Sequence, residues 1–195
     1  TEVGASLKDA GVFKGPYPSG APAIFIDTVA RLGHSAGIIG GVGKDDFGQC
    51  LLESLTKDGV DCSKVIQSDR FATGVAFVTY FNDGSRQFIF HMGNTPAVEP
   101  KAPSIADLAG IKYFHVMGCS LMAEENFAAE IVKTLHLARQ AGANISFDPN
   151  MRKELLRGSS AVSVVKEVCE HTNIFMPGID ELLMITEQIT VEEAI

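Results

Sequence analysis

Apolar residues follow two alternating spacings in the second half of this chain, one typical of strands and one typical of helices. The strand-like runs cover 113–117, 145–147 and 174–176, and the helical runs cover 124–141, 161–169 and the start of a further helix at 181–185. Strands that alternate with helices pair in parallel through right-handed crossovers. This half of the chain therefore predicts an α/β fold whose ligands bind at the carboxyl ends of the strands.

The first half shows the same alternation after an extended connection. Two prolines and a glycine in residues 13–18 exclude a helix there. The predicted elements that follow are a helix over 22–32, a strand over 35–39, a glycine loop at 41–43, a helix that ends at 59 and a connection with a short strand over 60–67. Phe47 shares helical spacing with Leu51 and Leu55, and we therefore predict that it lies in the core.

Two β-rich runs, 73–81 and 86–91, flank the sequence NDGS at 82–85, which is a strong turn signal. The pattern predicts an antiparallel hairpin with apolar side chains on both of its faces. A two-stranded ribbon is only marginally stable alone, so it must lie against another part of the protein. The hairpin is therefore either a separate lid or a part of the main sheet.

Composition and charge narrow the range of partners. The 195 residues suffice for one α/β domain, and the formal net charge of −8 argues against a nucleic-acid backbone or an anionic membrane surface as a partner. No apolar run is long enough to span a bilayer and no signal peptide is visible, so we expect a cytoplasmic protein. The four cysteines lack metal-binding spacing, and we expect them to be reduced.

The predicted glycine loop matches neither of the two generic phosphate-binding motifs. A dinucleotide fingerprint that starts at Gly41 would need a glycine at Asp46, and the neighbouring carboxylates would repel a pyrophosphate. A P-loop that ends at Lys44 would need a glycine at Ile38 and a hydroxyl residue at Asp45.

Residues 19–48 contain the segments GAPA at 20–23 and RLG at 31–33 and a VGxDxFG pattern at 42–48. Together these segments resemble the first signature of the PfkB, or ribokinase-like, carbohydrate kinases. The matching residues are Gly20-Ala21-Pro22-Ala23, Arg31-Leu32-Gly33, and Val42-Gly43 with Asp45, Phe47 and Gly48. In that family the glycine turn meets the sugar, which makes Gly20 a candidate for substrate binding. One departure is Ile24, which stands where the family has an asparagine that reaches a sugar hydroxyl.

The resemblance implies a ribokinase-like doubly wound parallel sheet with a small β-lid. Residues 1–195 would form part of that domain, with the lid hairpin at about 71–93 and a lid-type extended connection at about 11–18. In many members of the family the lid pairs with the lid of a second subunit. We therefore expect a homodimer that assembles through the hairpin.

Residues 148–152, DPNMR, follow a predicted strand and resemble the family's DPNxR segment. That segment commonly lies between the sugar and the nucleotide phosphates. The resemblance makes Asn150 a candidate for phosphate binding and Arg152 a candidate for the sugar side, where its guanidinium can bind two acceptors. The alternative is an ordinary Asp-Pro turn followed by a solvated arginine.

Residues 176–181, MPGIDE, follow the next predicted strand and resemble the family's PNxxE element. The family's glutamate organises water around magnesium, and it corresponds to Glu181. Gly178 stands where the family has asparagine. An acidic residue in a first helical turn also stabilises the helix dipole, so that reading of Glu181 stays open.

The end of the hairpin resembles a segment that, in relatives acting on 2-keto-3-deoxygluconate, carries tyrosine and arginine facing the acid. Phe90 and Met92 supply no positive charge here, which favours a neutral sugar such as a ketohexose. Phe90 and Asn94 are the candidates for substrate binding. His91, on a strand, is expected to have a packing role.

Taken together, the resemblance implies a kinase that transfers a phosphoryl group from ATP, with Mg²⁺, to a sugar hydroxyl. The family's catalytic aspartate belongs to a GAGD motif expected well after Ile195, and its first strand, with an acidic residue for the sugar, is also not among these residues. We therefore expect no catalytic base here and no activity from these residues alone. A nucleoside kinase and a non-catalytic sugar-binding relative are the alternatives.

Overall fold

The computed structural model describes residues 6–151 and 160–195. The chain forms two compact units, Thr1–Pro100 and Lys101–Ile195, and each has its own apolar cluster. Within the described ranges, no helix combines the length and the apolar character that crossing a membrane requires.

The first unit begins with two helices that each lead into a strand. The elements are α1 (Ala21–Arg31), β1 (Ala36–Gly43), α2 (Asp46–Lys57) and β2 (Val60–Ser68). β1 and β2 pair in parallel, as expected for strands joined by a helical crossover. Buried side chains from both helices and from β2 form the apolar cluster of this unit: Ala23, Leu55 and Val60.

The local sequence explains where the two helices begin. Gly20 has a φ angle of 105° before α1, and Pro22 lies in the first helical turn, where a missing N–H is no loss. The Asp45 carboxylate accepts a 2.8 Å hydrogen bond from the Gly48 amide and so caps α2. The helix predicted over 22–32 is therefore confirmed, with each end shifted by one residue.

The predicted glycine loop at 41–43 is wrong, because these residues form the end of β1. A Cβ atom on Gly41 would lie 1.9 Å from the Pro96 carbonyl oxygen. Glycine is therefore needed here for the close approach of two backbones and not for a turn. The connection predicted over 60–67 is likewise a continuous strand, β2.

The predicted core position of Phe47 is also wrong, since its side chain is 48% exposed. The residues of α2 that are buried are Gly48 and Leu55. Each residue turns the helix by about 100°, so a position next to the buried stripe can face solvent. Helical spacing predicted the helix correctly but not which face it buries.

The predicted hairpin consists of β3 (Val75–Tyr80) and β4 (Arg86–His91), which pair in antiparallel register. The Phe81 amide donates a 2.9 Å hydrogen bond to the Ser85 carbonyl oxygen and closes the turn. Within the described part of the chain, the hairpin forms a two-stranded sheet separate from the one formed by β1 and β2. The alternative in which it joins that parallel sheet is therefore wrong.

Residues 11–18 form neither helix nor strand, as their prolines predict. The Phe13 ring meets the Phe77 ring of β3 edge-on, with centroids 5.4 Å apart. One face of the hairpin is thus partly covered by this extended connection.

The second unit is an α/β structure with a three-stranded parallel sheet of order β5-β6-β7. Its strands are β5 (Tyr113–Met117), β6 (Asn144–Asp148) and β7 (Ile174–Phe175). Its helices are α3 (Gly118–Leu121), α4 (Glu125–Gln140), α5 (Ser160–Glu170), α6 (Ile179–Thr186) and α7 (Val191–Ala194). The predicted α/β fold with parallel pairing is confirmed.

The centre of this unit is β6, the middle strand of the sheet. Ile145 and Phe147 are fully buried, and the Phe147 ring stacks on Phe175 of β7 at 5.8 Å. Leu135 of α4 and Val168 of α5 are also fully buried in the same cluster. This burial fixes β6 and so determines where the residues that follow it emerge.

Candidate functional site

Two predicted motifs follow neighbouring strands in the second unit. β6 ends at Asp148, and the DPNMR segment continues from it. β7 ends at Phe175, and residues 176–181 continue from there into α6. Because β6 and β7 are parallel and adjacent, both segments emerge at the same edge of the sheet.

The turn after β6 is held by its own aspartate. The Asn150 amide donates a 3.0 Å hydrogen bond to Asp148 Oδ1, an arrangement typical of an Asx turn. Asn150 has a φ angle of 37°, and Pro149 between them is buried. The Asn150 Oδ1 atom is buried and accepts no hydrogen bond from any residue that the structure describes. Buried acceptors are normally hydrogen-bonded, so this atom makes Asn150 a candidate ligand-binding residue.

Glu181 links this turn to the start of α6. The Met151 amide donates to Glu181 Oε1 at 2.7 Å, and the Gly178 amide donates to Glu181 Oε2 at 2.8 Å. Both carboxylate oxygens thus bind backbone amides, one from each of the two motif segments. The structure therefore brings the Asn150 and Glu181 segments together, while their roles toward phosphate and metal stay predictions.

The sequence analysis assigned Glu181 to metal water or to the helix dipole and missed this bridging contact. A signal was present, since Gly178 and Glu181 have the spacing of a capping box, in which a residue at the third helical position binds the N-cap amide. The contact with Met151 had no such signal, because it joins residues 30 positions apart.

Gly118 is a second site residue that the sequence analysis missed. It opens α3 directly after β5, and a Cβ atom on it would lie 2.0 Å from the Pro149 carbonyl oxygen and 2.7 Å from the carbonyl carbon. Only glycine lets the backbone of residues 148–150 approach β5 so closely. A glycine directly after a strand was the only hint in the sequence.

The carboxylate of Asp45 accepts three hydrogen bonds at the start of α2 in the first unit. It accepts hydrogen bonds at Oδ1 from the Gly48 amide at 2.8 Å and the Thr73 hydroxyl at 2.7 Å, and at Oδ2 from the Thr73 amide at 2.7 Å. The Thr73 backbone N–H, more than any other neighbour, lowers the pKa of the Asp45 carboxyl below its ordinary value. Three donors from the surrounding chain give Asp45 a structural role, and its negative charge would repel a phosphate.

The lowered pKa of Asp45 predicts how stability depends on pH. Its contribution is complete above the pKa of an unfolded aspartate, about 3.9, and is lost as the pH falls through the lower folded value. We expect the free energy of unfolding to fall less steeply between about pH 5 and 3 in Asp45→Asn than in the unsubstituted protein. Denaturant titrations at several pH values measure this, with Asp46→Asn as the neighbouring control. Parallel curves for Asp45→Asn and the unsubstituted protein would contradict the prediction.

The structure places the sugar-side candidates of the first unit in two regions. Gly20 precedes α1, and no atom of the described residues lies within 4 Å of a Cβ built on it, so its positive φ rather than crowding favours glycine. Phe90 is half-buried on β4 and stacks on Phe88 with centroids 5.1 Å apart. Asn94 is exposed beyond β4 with a φ angle of 55°. Their contacts with sugar stay predictions.

Three further residues complete the predicted set. Arg152 lies outside the described residues. Ile24, in the first turns of α1, is 55% exposed and so presents an apolar surface. The His91 ring meets the Phe77 ring edge-on at 6.4 Å, in agreement with the packing role expected for it.

In the residues that the structure describes, no three histidine, cysteine, aspartate or glutamate side chains form a group that could hold a metal ion. Mg²⁺ commonly keeps several water ligands and is bound through one or two carboxylates together with substrate phosphates.

Comparisons with known proteins agree with this architecture. The chain is 32% identical over 196 residues to "Probable fructokinase-3" of Arabidopsis thaliana. This alignment covers 99% of this chain and 56% of that protein. It is 36% identical over 163 residues to Fructokinase-1 of Oryza sativa subsp. japonica, covering 80% of this chain and 48% of that protein. The chain thus spans about half the length of these curated relatives.

A solved structure from E. coli, provisionally named Ribokinase II and crystallised in complex with ATP and Mg²⁺, has a similar fold. It matches with a TM-score of 0.90 and 39% identity, over 99% of this chain and 62% of that one. The family description "pfkB family carbohydrate kinase" matches residues 16–195. This match covers both units and the motifs at the ends of β6 and β7. The resemblance inferred from the sequence is thereby confirmed, and the chain belongs to the PfkB family of carbohydrate kinases.

Proposed function

We propose that the whole protein is a sugar kinase, which transfers a phosphoryl group from ATP to a hydroxyl of a neutral sugar. The observation that carries this proposal is the Glu181 carboxylate, which ties the turn after β6 to the turn after β7 through the Met151 and Gly178 amides. Phosphoryl transfer depends on positioning and electrostatic stabilisation, and two loops joined by hydrogen bonds at one sheet edge suit that requirement.

Fructose is the first candidate for the sugar. Several relatives carry the name fructokinase, among them proteins from Arabidopsis thaliana and Oryza sativa subsp. japonica. Phe90 and Met92 provide no positive charge that would select an acidic sugar. We propose that Gly20, Phe90, Asn94 and Arg152 contribute to the sugar side, within a domain in which the hairpin acts as a lid.

The residues at the sheet edge fit Mg²⁺ and a nucleotide. Mg²⁺ prefers oxygen ligands and keeps several waters, and the two Glu181 oxygens retain lone pairs beyond those that bind the amides. Asn150 has a buried oxygen without a protein donor among the described residues, which suits a metal-bound water or a nucleotide group. We propose that Glu181 holds water around the ion and that Asn150 binds phosphate through its Nδ2 amide, which can donate, while its Oδ1 accepts from a metal-bound water. Bound Mg²⁺ would neutralise charge on the phosphates.

We assign no residue of this chain as the general base. The resemblance places that aspartate in a GAGD motif, which does not occur among these 195 residues. The proposal therefore concerns the whole protein, and we expect these residues alone to form no ADP when sugar is added.

A panel of acceptors tests the proposed function. We expect kcat/KM for fructose to exceed that for ribose, adenosine and 2-keto-3-deoxygluconate by about tenfold or more, because a site built for one pattern of hydroxyls rejects others. The measurement is ADP release by the full-length protein with ATP and Mg²⁺. Preference for adenosine would make the protein a nucleoside kinase, and no turnover with any acceptor would overturn the proposal.

A sugar-binding protein without kinase activity is the second candidate. It is favoured by Ile24, whose exposed apolar side chain stands where the family's asparagine reaches a sugar hydroxyl. Titration calorimetry with fructose separates the two candidates. Binding of fructose without ADP formation by the full-length protein would support the second one.

We further propose that the protein forms homodimers through the hairpin and acts in the cytoplasm. Phe77 and Ile89 lie opposite each other on one face of the hairpin and are both partly exposed, which suits a partner surface. The four cysteines are free thiols, as expected in a reducing compartment. Sedimentation as a monomer at micromolar concentration would refute the dimer, and cell fractionation tests the location.

A further inference from the structure

Both ends of the β3–β4 hairpin are attached to the end of β1. The attachment on the entering side involves Asp45 and Thr73, and the one on the leaving side involves Pro96. The sequence motif contains Gly43, Asp45 and Gly48 but does not indicate that they hold the hairpin.

The entering side is held by a network around Thr73, two residues before β3. Its amide and hydroxyl both donate to Asp45, and its hydroxyl oxygen accepts a 2.9 Å hydrogen bond from the Gly43 amide. We call Gly43, Asp45, Gly48 and Thr73 the hairpin clasp. The Asp45 carboxylate also binds the Gly48 amide, so the clasp joins the end of β1, the start of α2 and the start of the hairpin.

The two glycines of the hairpin clasp are required by its tight packing. A Cβ atom on Gly43 would lie 2.7 Å from the Thr73 amide nitrogen, and one on Gly48 would lie 2.9 Å from the Thr73 hydroxyl oxygen and 2.2 Å from the Gly43 carbonyl oxygen. Real Cβ atoms do not approach backbone this closely, so any larger residue would push Thr73 away from Asp45.

The leaving side is held mainly by backbone contact. The Thr95 hydroxyl donates a 2.6 Å hydrogen bond to the Met92 carbonyl oxygen, which folds the chain just after β4. The next residue, Pro96, lies against Gly41, where a Cβ atom would come within 1.9 Å of its carbonyl oxygen. Met92 and Thr95 flank Asn94, so this attachment fixes the segment that carries a sugar-side candidate.

The hairpin is only partly enclosed, since Thr79 of β3 is fully buried while several larger side chains are not. Phe77, Tyr80 and Ile89 are 40%, 50% and 43% exposed, although they are large apolar residues. A ribbon that is only partly covered depends on its attachment points for its direction, because two strands alone do not make a rigid sheet.

We propose that Asp45 and Thr73 are positioning residues, which hold the base of the hairpin so that Phe90 and Asn94 are presented to the sugar. They do not contact substrate themselves. The part of this inference that concerns sugar rests on the proposed function, whereas the part that concerns the hairpin does not.

The test compares Thr73→Val with Thr73→Ser in the full-length protein. Valine has the shape of threonine but can neither donate to Asp45 nor accept from Gly43, whereas serine keeps both hydrogen bonds. The matched control is Thr56→Val, since the Thr56 hydroxyl donates only within α2, to the Leu52 carbonyl oxygen. Hydrogen exchange of peptides covering 75–91 is measured alongside sugar kinetics.

In Thr73→Val, we expect the hairpin amides to exchange about tenfold faster, the size expected for losing one partly buried hydrogen-bonding group. We expect KM for the sugar to rise by a similar factor of about ten, with a smaller change in kcat, because sugar presentation is impaired while the phosphate side is intact. Thr73→Ser and Thr56→Val should stay within about twofold of the unsubstituted protein.

Unchanged hairpin exchange in Thr73→Val would overturn the inference. Faster exchange of the same degree in β5 and β6 would overturn it too, since that pattern reports general loss of stability. If the unsubstituted protein phosphorylates no sugar, the proposed function fails, and hydrogen exchange still decides whether the clasp holds the hairpin.

Discussion

Replacing Gly118 with alanine is expected to lower the free energy of unfolding by about 3 kcal/mol, the upper part of the range for overpacking. The added Cβ would lie 2.0 Å from the Pro149 carbonyl oxygen, and a backbone atom cannot move aside as a flexible side chain can. The turn that carries Asn150 must therefore move, so kinase activity of the full-length protein should fall along with stability. Chemical denaturation and ADP release measure the two effects.

Gly40→Ala is the control for this substitution. Gly40 lies within β1, and in the part of the chain that the structure describes no atom comes within 4 Å of a Cβ built on it. We expect its unfolding free energy to change by less than about 0.5 kcal/mol. Equal stability of Gly118→Ala and Gly40→Ala would show that the approach of the Asn150 turn to β5 is looser than described.

Glu181→Ala is expected to have the second large effect, because it removes the acceptor of two backbone amides in two different segments. Hydrogen bonds to a charged group contribute about 1.5–3 kcal/mol each, and partial exposure of this carboxylate reduces the sum, so we expect a loss of about 2 kcal/mol. In the full-length protein kcat should fall roughly 100-fold, as for residues that orient a metal site. Denaturation and steady-state kinetics measure both.

The controls for Glu181 separate bridging from helix-dipole stabilisation. Asp180 is exposed in the same first turn of α6 and carries the same charge, so Asp180→Asn reports the dipole contribution, about 0.3–1 kcal/mol. Glu181→Gln keeps one carbonyl acceptor, so its free energy of unfolding should lie between those of the unsubstituted protein and Glu181→Ala. If Asp180→Asn and Glu181→Ala lower the free energy of unfolding equally, Glu181 acts only on the helix dipole and the bridging role is wrong.

Much of the fold could be predicted because it depends on residues that are close together in the chain. The strand at Tyr113–Met117 coincides with its apolar run, and the hairpin turn was evident from the sequence NDGS. Alternation of such strands with helices predicted parallel pairing, which β5, β6 and β7 show. Local spacing also gave one wrong prediction. Phe47 follows the helical period of the buried residues of α2 but lies outside the face that they form.

The candidate site was predictable only in part. The motifs identified Asn150 and Glu181 as the residues of interest, and parallel strands predicted that both would emerge at one sheet edge. That Glu181 binds the Met151 amide was not predictable, because a carboxylate near a helix start has several local partners. The contact of Asp45 with Thr73 was not predictable either, because the two residues lie 28 positions apart and no local pattern connects them.

The sequence by itself determined the fold class, the hairpin and the family, because apolar periods, turn residues and motif spacing are properties of neighbouring positions. Tertiary structure alone decided which backbones come into contact. The sequence predicts a loop at Gly41 and indicates no role for Gly118, yet each allows a distant carbonyl group, of Pro96 or of Pro149, to approach. A glycine that serves such an approach looks in the sequence like any other glycine, because the residue that demands it lies 31 or more positions away along the chain.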